Sequence, residues 1–169
     1  MLSKKMTDKL NEQIQKELFS GHYYVSMAAY CASLNFDGFA NFFIVQEQEE
    51  RFHAMKIFNY IIEKNQDVKI MGLDQPKTEF KSLEEVFDLA WKHEQYVTKL
   101  IYNLMDAAVK ENDFGTQSFL KWFVDEQVEE EATMLDILDK IKFFGDEKQG
   151  LYLLDKELAA RTFAPPPAE

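Results

Sequence analysis

Residues 39–60, FANFFIVQEQEERFHAMKIFNY, determine what kind of chain this is. Phe39, Phe43, Gln46, Glu50, His53, Ile57 and Tyr60 recur at alternating spacings of four and three, the pattern of a helix face that packs on partner helices. Both ends of that face are apolar, yet its centre holds a glutamate and a histidine. Residues three apart on a helix lie about one turn apart on the same face, so the Glu50 carboxylate and the His53 imidazole can reach a common point.

Working outward, the same pattern recurs in three other parts of the chain: Leu10, Ile14, Glu17, Gly21, Tyr24, Ala28, Cys31; then Leu83, Phe87, Ala90, Glu94, Val97, Ile101, Leu104, Ala108; then Leu120, Phe123, Gln127, Glu130, Met134, Ile137, Ile141. Each row is apolar at its ends and carries a carboxylate near its middle. The expectation is an all-α protein in which four helices share one polar layer.

The remaining signals set the order and direction of the helices. Helix A is expected over about 4–35, a turn at Asn35-Phe36-Asp37-Gly38, and helix B over about 38–65. Periodicity then stops through 66–81, a stretch containing Gly72 and Pro76 and long for a link inside a compact bundle. Ser82-Leu83-Glu84-Glu85 has the form of a capping box and opens helix C, which runs to about Glu111. Asn112-Asp113-Phe114-Gly115 makes a turn into helix D over about 116–144, and Gly145 ends it. A shorter helix E over 146–161 carries Leu151, Leu153, Leu154 and Leu158. Residues 1–162 read as one domain, and 163–169, with three consecutive prolines, as an extended or disordered tail. A helix over 38–65 is roughly 40 Å long at ~1.5 Å per residue, and the link over 66–81 can span roughly 50 Å. It can therefore return along the bundle and set helices B and C parallel, with the A–B and C–D pairs antiparallel. All four mid-helix carboxylates then meet at one level, the layout in which carboxylate metal sites are built.

Bulk properties exclude several function classes. With 169 residues, 46% of them hydrophobic, the chain can bury one substantial core. A formal net charge of −11 argues against a nucleic-acid surface and favours cationic partners or simple solubility. Residues 18–36 carry no formal charge, but His22, paired tyrosines, three serines and Asn35 interrupt them, so no membrane span is expected. No signal peptide is visible at the N-terminus. The one cysteine, Cys31, reads as an inert buried thiol, consistent with a reducing cytoplasm. Tyr23, Tyr30, Phe36 and Phe42 suggest an aromatic-rich interface between copies.

Glu17, Glu50, Glu94 and Glu130 point inward together, with His53 and Gln127 beside them and no lysine or arginine in any of the rows at that level. Desolvating one ionised carboxylate costs several kcal/mol, and like charges repel. Protons or water relieve part of that, and a cation relieves it more completely. Two divalent ions neutralise four carboxylates, and two trivalent ions with one oxide do so again, which suits a two-metal redox centre. Oxygen donors with one imidazole suit iron, manganese or, less well, zinc. Glu49, Glu126 and Glu129, one position off these rows, form either a solvated acidic face or a third, weaker cation position. Glu47, Glu131, Asp136 and Asp139 read as surface charges, Trp122 as packing with a minor redox role left open by its nearness to Phe123, and His22 and His93 as lying outside the metal layer.

The chain resembles the bacterial non-haem ferritins over nearly its whole length. The motif is a Glu on helix A, Glu-x-x-His on B, a Glu on C and Gln-x-x-Glu on D: here Glu17, Glu50 to His53, Glu94, and Gln127 to Glu130. The resemblance implies a ferritin-like four-helix bundle with a fifth C-terminal helix. It also implies that Glu17, Glu50 and His53 hold one iron, with Glu50 bridging to a second held by Glu94 and Glu130. Gln127 stands nearby, and Glu49, Glu126, Glu129 and Glu130 form a third iron site. Tyr24 matches the family's central tyrosine, which either hydrogen-bonds a ligand carboxylate, supplies an electron, or simply packs in the core. The implied function is iron storage with ferroxidase activity, in which dioxygen or hydrogen peroxide oxidises Fe2+ and ferric mineral enters a cage of 24 copies whose symmetry axis is lined by helix E. Arg51, where bacterioferritins place a haem-ligating methionine, argues against haem. The rival readings are a non-storage di-iron oxidase or peroxidase of small oligomeric state and a metal-free helical interaction module.

Overall fold

The computed structural model describes residues 2–145 and 147–165. It has five helices: α1 (Lys4–Ser33), α2 (Asp37–Glu63), α3 (Leu83–Lys110), α4 (Phe114–Phe144) and α5 (Lys148–Ala159). Every residue of the four rows read from the sequence is buried. The expected helix ends shift by a few residues where capping side chains and turn conformations set them. Helix α1 starts after Ser3, whose hydroxyl accepts from the Met6 amide at 3.0 Å. It ends two residues early because Asn35 takes the left-handed conformation, φ 59. Helix α4 starts at Phe114 because Asp113 is its cap, accepting from the Thr116 amide at 3.0 Å and the Thr116 hydroxyl at 2.6 Å. At α3 the Ser82 hydroxyl accepts from the Glu85 amide, but Glu85 reaches back to the amide of Lys81 rather than of Ser82.

The long link crosses the bundle as expected, and its hydrogen bonds show the direction. The Asn11 side chain donates to the carbonyl of Asp67 and accepts from the Lys69 amide; Gln15 donates to the carbonyl of Gly72, and Ser26 to that of Lys77. The link thus follows α1 from its beginning toward its end and delivers α3 antiparallel to α1, hence parallel to α2. The apolar core lies in two halves. One surrounds Tyr24, Phe39, Phe43, Phe87 and Ile137, the other Leu10, Ile57, Ile101 and Leu120. The polar layer lies between them.

Helix α5 begins at Lys148; the expected start at Asp146 lies outside the described residues. It buries Leu154 and Leu158 against the bundle and leaves Tyr152 and Leu153 exposed. Its Asp155 carboxylate accepts from the amides of Gly38 and Phe39 at 2.7 and 3.1 Å, capping a helix that has no side-chain cap of its own. A side chain at residue 38 would meet the Asp155 backbone at 1.7 Å, so glycine is required there. Phe42, expected at an interface, is instead buried inside the chain; Tyr23, Tyr30 and Phe36 are half-buried. Residues 163–165 form no helix or strand, and the rest of the expected tail, 166–169, lies outside the described residues.

Candidate metal centre

Mid-bundle, all four long helices present polar side chains to one another. Glu17, Glu50, His53, Glu94, Gln127 and Glu130 are each no more than 5% exposed, and no lysine or arginine is among the buried residues of the described chain. Donor atoms of Glu17, Glu50 and His53 lie within 4.8 Å of one another, and so do those of His53, Glu126 and Glu130. His53 Nδ1 is 3.7 Å from Glu50 Oε2. Trp122 and Phe123 pack edge-on against the imidazole, with ring centroids 5.4 and 6.0 Å away, and fix its plane.

Each remaining carboxylate is held by a neighbour. Tyr24 donates to Glu94 Oε1. Gln127 Nε2 donates to Glu94 Oε2 at 3.1 Å, and also lies 3.3 Å from the Glu94 carbonyl and from Thr98 Oγ1. Two further amides escaped the sequence reading as parts of the site. Gln13 donates to Glu17 Oε1 and Gln46 to Glu130 Oε2, each at 2.8 Å. The Gln13 contact had a signal, since it lies one turn before Glu17 on the same helix. Gln46 stood in its row as a packing position, but its target belongs to another helix and no spacing reveals it. Glu131, read as a surface charge, accepts from the Thr98 hydroxyl at 2.5 Å and so backs Gln127.

The electrostatics follow from burial. Desolvation, then the charges of Glu94, Glu17 and Glu130, push Glu50 well above the usual carboxylate range. Desolvation raises Glu94 to about 7, opposed by the hydrogen bonds from Tyr24 and Gln127. Desolvation, with Glu94 close by, raises Glu130 to about 8. Without a cation, protons therefore carry part of the neutralising charge at neutral pH. Glu17 Oε2, Glu50 Oε2 and Gln46 Oε1 are buried with no hydrogen-bond partner. Buried acceptors left unsatisfied cost free energy, and in a layer of oxygen donors with one imidazole a divalent cation is the partner that fits.

The chain matches the ferritin-like domain of the ferritin family over residues 7–144. It belongs to the ferritin family. Bacterial non-heme ferritins from Staphylococcus haemolyticus and Staphylococcus aureus are 48% and 45% identical to it over 163 residues, covering 96% of this chain and 98% of theirs. The open-pore ferritin of Archaeoglobus fulgidus has a similar solved structure, with 44% identity, a TM-score of 0.94, and coverage of 95% of this chain and 98% of that one. A closed form of the same protein made by site-directed mutagenesis gives 43% identity and a TM-score of 0.96, covering 97% of this chain and all of that one. Family and fold together place this ferritin among the iron-storage proteins.

The other groups singled out in the sequence sort around this centre. Glu49 and Glu126 are half-buried beside it, and Glu129 is exposed. Desolvation raises both Glu49 and Glu126; Glu129 adds to the effect on Glu126, and Arg161 opposes the effect on Glu49. Arg51 and His22 are exposed. His93 lies among Phe19, Tyr23, Tyr24 and Tyr96, with Nε2 2.8 Å from the Ser20 hydroxyl, and burial lowers it to about 4. Cys31 is buried and its thiol is pushed up to about 12, which makes it unreactive. No helix among the described residues is long and apolar enough to cross a membrane.

Proposed function

We propose that the chain is a ferroxidase that stores the iron it oxidises. Glu17, Glu50 and His53 take one ferrous ion; Glu50 is shared with a second, held by Glu94 and Glu130. Gln127 and Tyr24 hold Glu94 in place from either side, and Gln13 and Gln46 do the same for Glu17 and Glu130. The observation that carries this reading is the buried layer itself, with carboxylates from four helices, unpartnered oxygens and, among the described residues, no buried lysine or arginine.

Each ferrous ion gives up one electron. One dioxygen takes two electrons and two protons to become hydrogen peroxide, and a peroxide taking two more electrons and two protons becomes two waters. Cation binding displaces the protons that Glu94 and Glu130 otherwise hold near neutral pH, releasing them next to the oxidant. The site binds no haem. Ferric product moves to the inside of a homo-oligomeric cage of 24 copies in the cytoplasm, with the exposed Tyr152 and Leu153 of α5 meeting their counterparts at a symmetry axis. Glu49, Glu126 and Glu129, together with Glu130, form a third iron position on the way out of the layer.

The test is oxygen uptake and absorbance after ferrous iron is added to the assembled protein, with particle mass measured on the same sample. His53→Ala and Glu130→Ala are each expected to slow oxidation at least tenfold in particles of unchanged mass. Wild-type rates in both variants would remove the site, and a small particle mass would remove the cage.

A further inference from the structure

After α5 the chain turns back onto α2 and stays there. Asn41 Nδ2 donates to the carbonyls of Leu158 and Arg161 at 3.1 and 2.9 Å. The Arg161 guanidinium lies over the Phe42 ring, 4.4 Å from its centroid, and Nη2 donates to Glu49 Oε2 at 2.7 Å. The Phe163 ring lies 6.1 Å from that of Phe52. The segment therefore follows α2 from Asn41 to Phe52 and sets one positive charge on Glu49, one position off the α2 row. Both partners are about three-quarters buried, with side-chain exposures of 25% and 23%, so water screens the pair only partly.

Glu49 also faces the metal layer. Its charge acts on Glu130 and Glu126, and His53 acts on it in turn. His53, Glu126 and Glu130 already bring donor atoms within 4.8 Å of one another. A cation that completed its shell there with Glu49 would need the carboxylate that Arg161 holds. The arginine is not fully satisfied in return, because Nη1 is buried without an acceptor. The pair therefore rests on one guanidinium–carboxylate hydrogen bond, and a divalent ion on Glu49 competes for that carboxylate.

We propose that Arg161 is a tethered counter-cation that sets the occupancy of the outer cation position. An oxygen-seeking divalent ion binds at Glu49, Glu126 and Glu130 only by displacing the guanidinium, and that displacement frees residues 160–165 from α2. This rests on the reading of the buried layer as a metal centre. It adds an order of filling: the inner positions, where no protein cation competes, load first, and the outer one loads against Arg161. The same exchange reports loading to the C-terminal segment.

The experiment uses Zn2+, which the donor set accepts and which does not change oxidation state. Equilibrium dialysis of the assembled full-length protein is combined with hydrogen exchange at residues 160–165. Wild type is expected to bind two ions tightly and a third weakly, with exchange at 160–165 rising only as the third binds. Arg161→Gln tightens the third ion at least fivefold, leaves the first two unchanged, and shows fast exchange at 160–165 without metal. Arg161→Lys, which keeps the charge, behaves closer to wild type. Glu49→Gln loses the third ion and frees the segment without metal. Equal third-ion affinity in wild type and Arg161→Gln, or exchange at 160–165 indifferent to the third ion, overturns the role of Arg161 while leaving the inner sites standing. Failure of wild type to bind two ions tightly would instead overturn the metal-centre reading, and slow, wild-type-like exchange at 160–165 in metal-free Glu49→Gln would count against Arg161.

Discussion

Two sets of carboxylates lie within a few ångströms of each other in this molecule and solve the same problem differently. Glu17, Glu50, Glu94 and Glu130 sit in helix faces that packing must bury, out of reach of water, and among the described residues no lysine or arginine is buried with them. Protons on Glu50, Glu94 and Glu130, or a cation from outside the protein, relieve the layer. Glu49, Glu126 and Glu129 are one position round their helices. That rotation of about 100° leaves them half-buried or exposed, where water and Arg161 take up the charge. The contrast shows that helical register decides the chemistry here, since the residue type is the same. The inner set is poised for tight binding because its alternatives are poor. The outer set has good alternatives, so a cation there would gain less.

The largest expected effect comes from removing the shared inner ligand. Glu50→Ala should slow ferrous oxidation by about a hundredfold, while Glu129→Ala changes the initial rate less than about twofold, both read by oxygen uptake. These magnitudes follow the loss of a buried ligand shared by both inner positions against loss of an exposed carboxylate at the outer one. Similar losses in the two variants would break the distinction between the sets. Next in size is Gln46→Leu, which leaves Glu130 without its 2.8 Å donor. The second metal ion should bind about tenfold more weakly, the usual effect of deleting a group that orients a ligand. Titration calorimetry with Zn2+ reads this directly, and Gln46→Glu, which brings a like charge, should not restore it.

A smaller effect concerns pH. Glu94 and Glu130 hold protons in the fold up to about 7 and about 8, whereas carboxylates in the unfolded chain release theirs near 4.5. Between those limits the folded state binds more protons than the unfolded one, so stability falls as pH rises. The metal-free protein should melt at a lower temperature at pH 8 than at pH 5, and two equivalents of Zn2+ should remove most of that slope. Glu50→Gln should flatten it as well. A metal-free melting temperature that rises from pH 5 to pH 8 would contradict the buried-carboxylate account.

Most of the fold could be read from the sequence because a buried helix face leaves a trace at every third or fourth residue. All four rows proved buried, and the long link after Glu63 had the reach for the crossover it makes. The central acids were legible for the same reason, as wrong residues in otherwise apolar rows. What escaped were contacts between residues far apart in the chain whose partners obey no period. Asp155 caps α2 across 117 residues, Gln46 reaches Glu130 across 84, and Arg161 reaches Glu49 across 112. Phe42 was misplaced because an aromatic one position off its row reads as surface until α5 and Arg161 are seen to cover it.

The central claim is that the buried layer is a cation site, and anomalous diffraction at the iron edge from a crystal soaked anaerobically in ferrous iron tests it most directly. The account predicts one peak among Glu17, Glu50 and His53 and a second among Glu50, Glu94 and Glu130, both stronger than any density at Glu49, Glu126 and Glu129. An inner layer without anomalous density, with iron confined to the outer carboxylates, would contradict it.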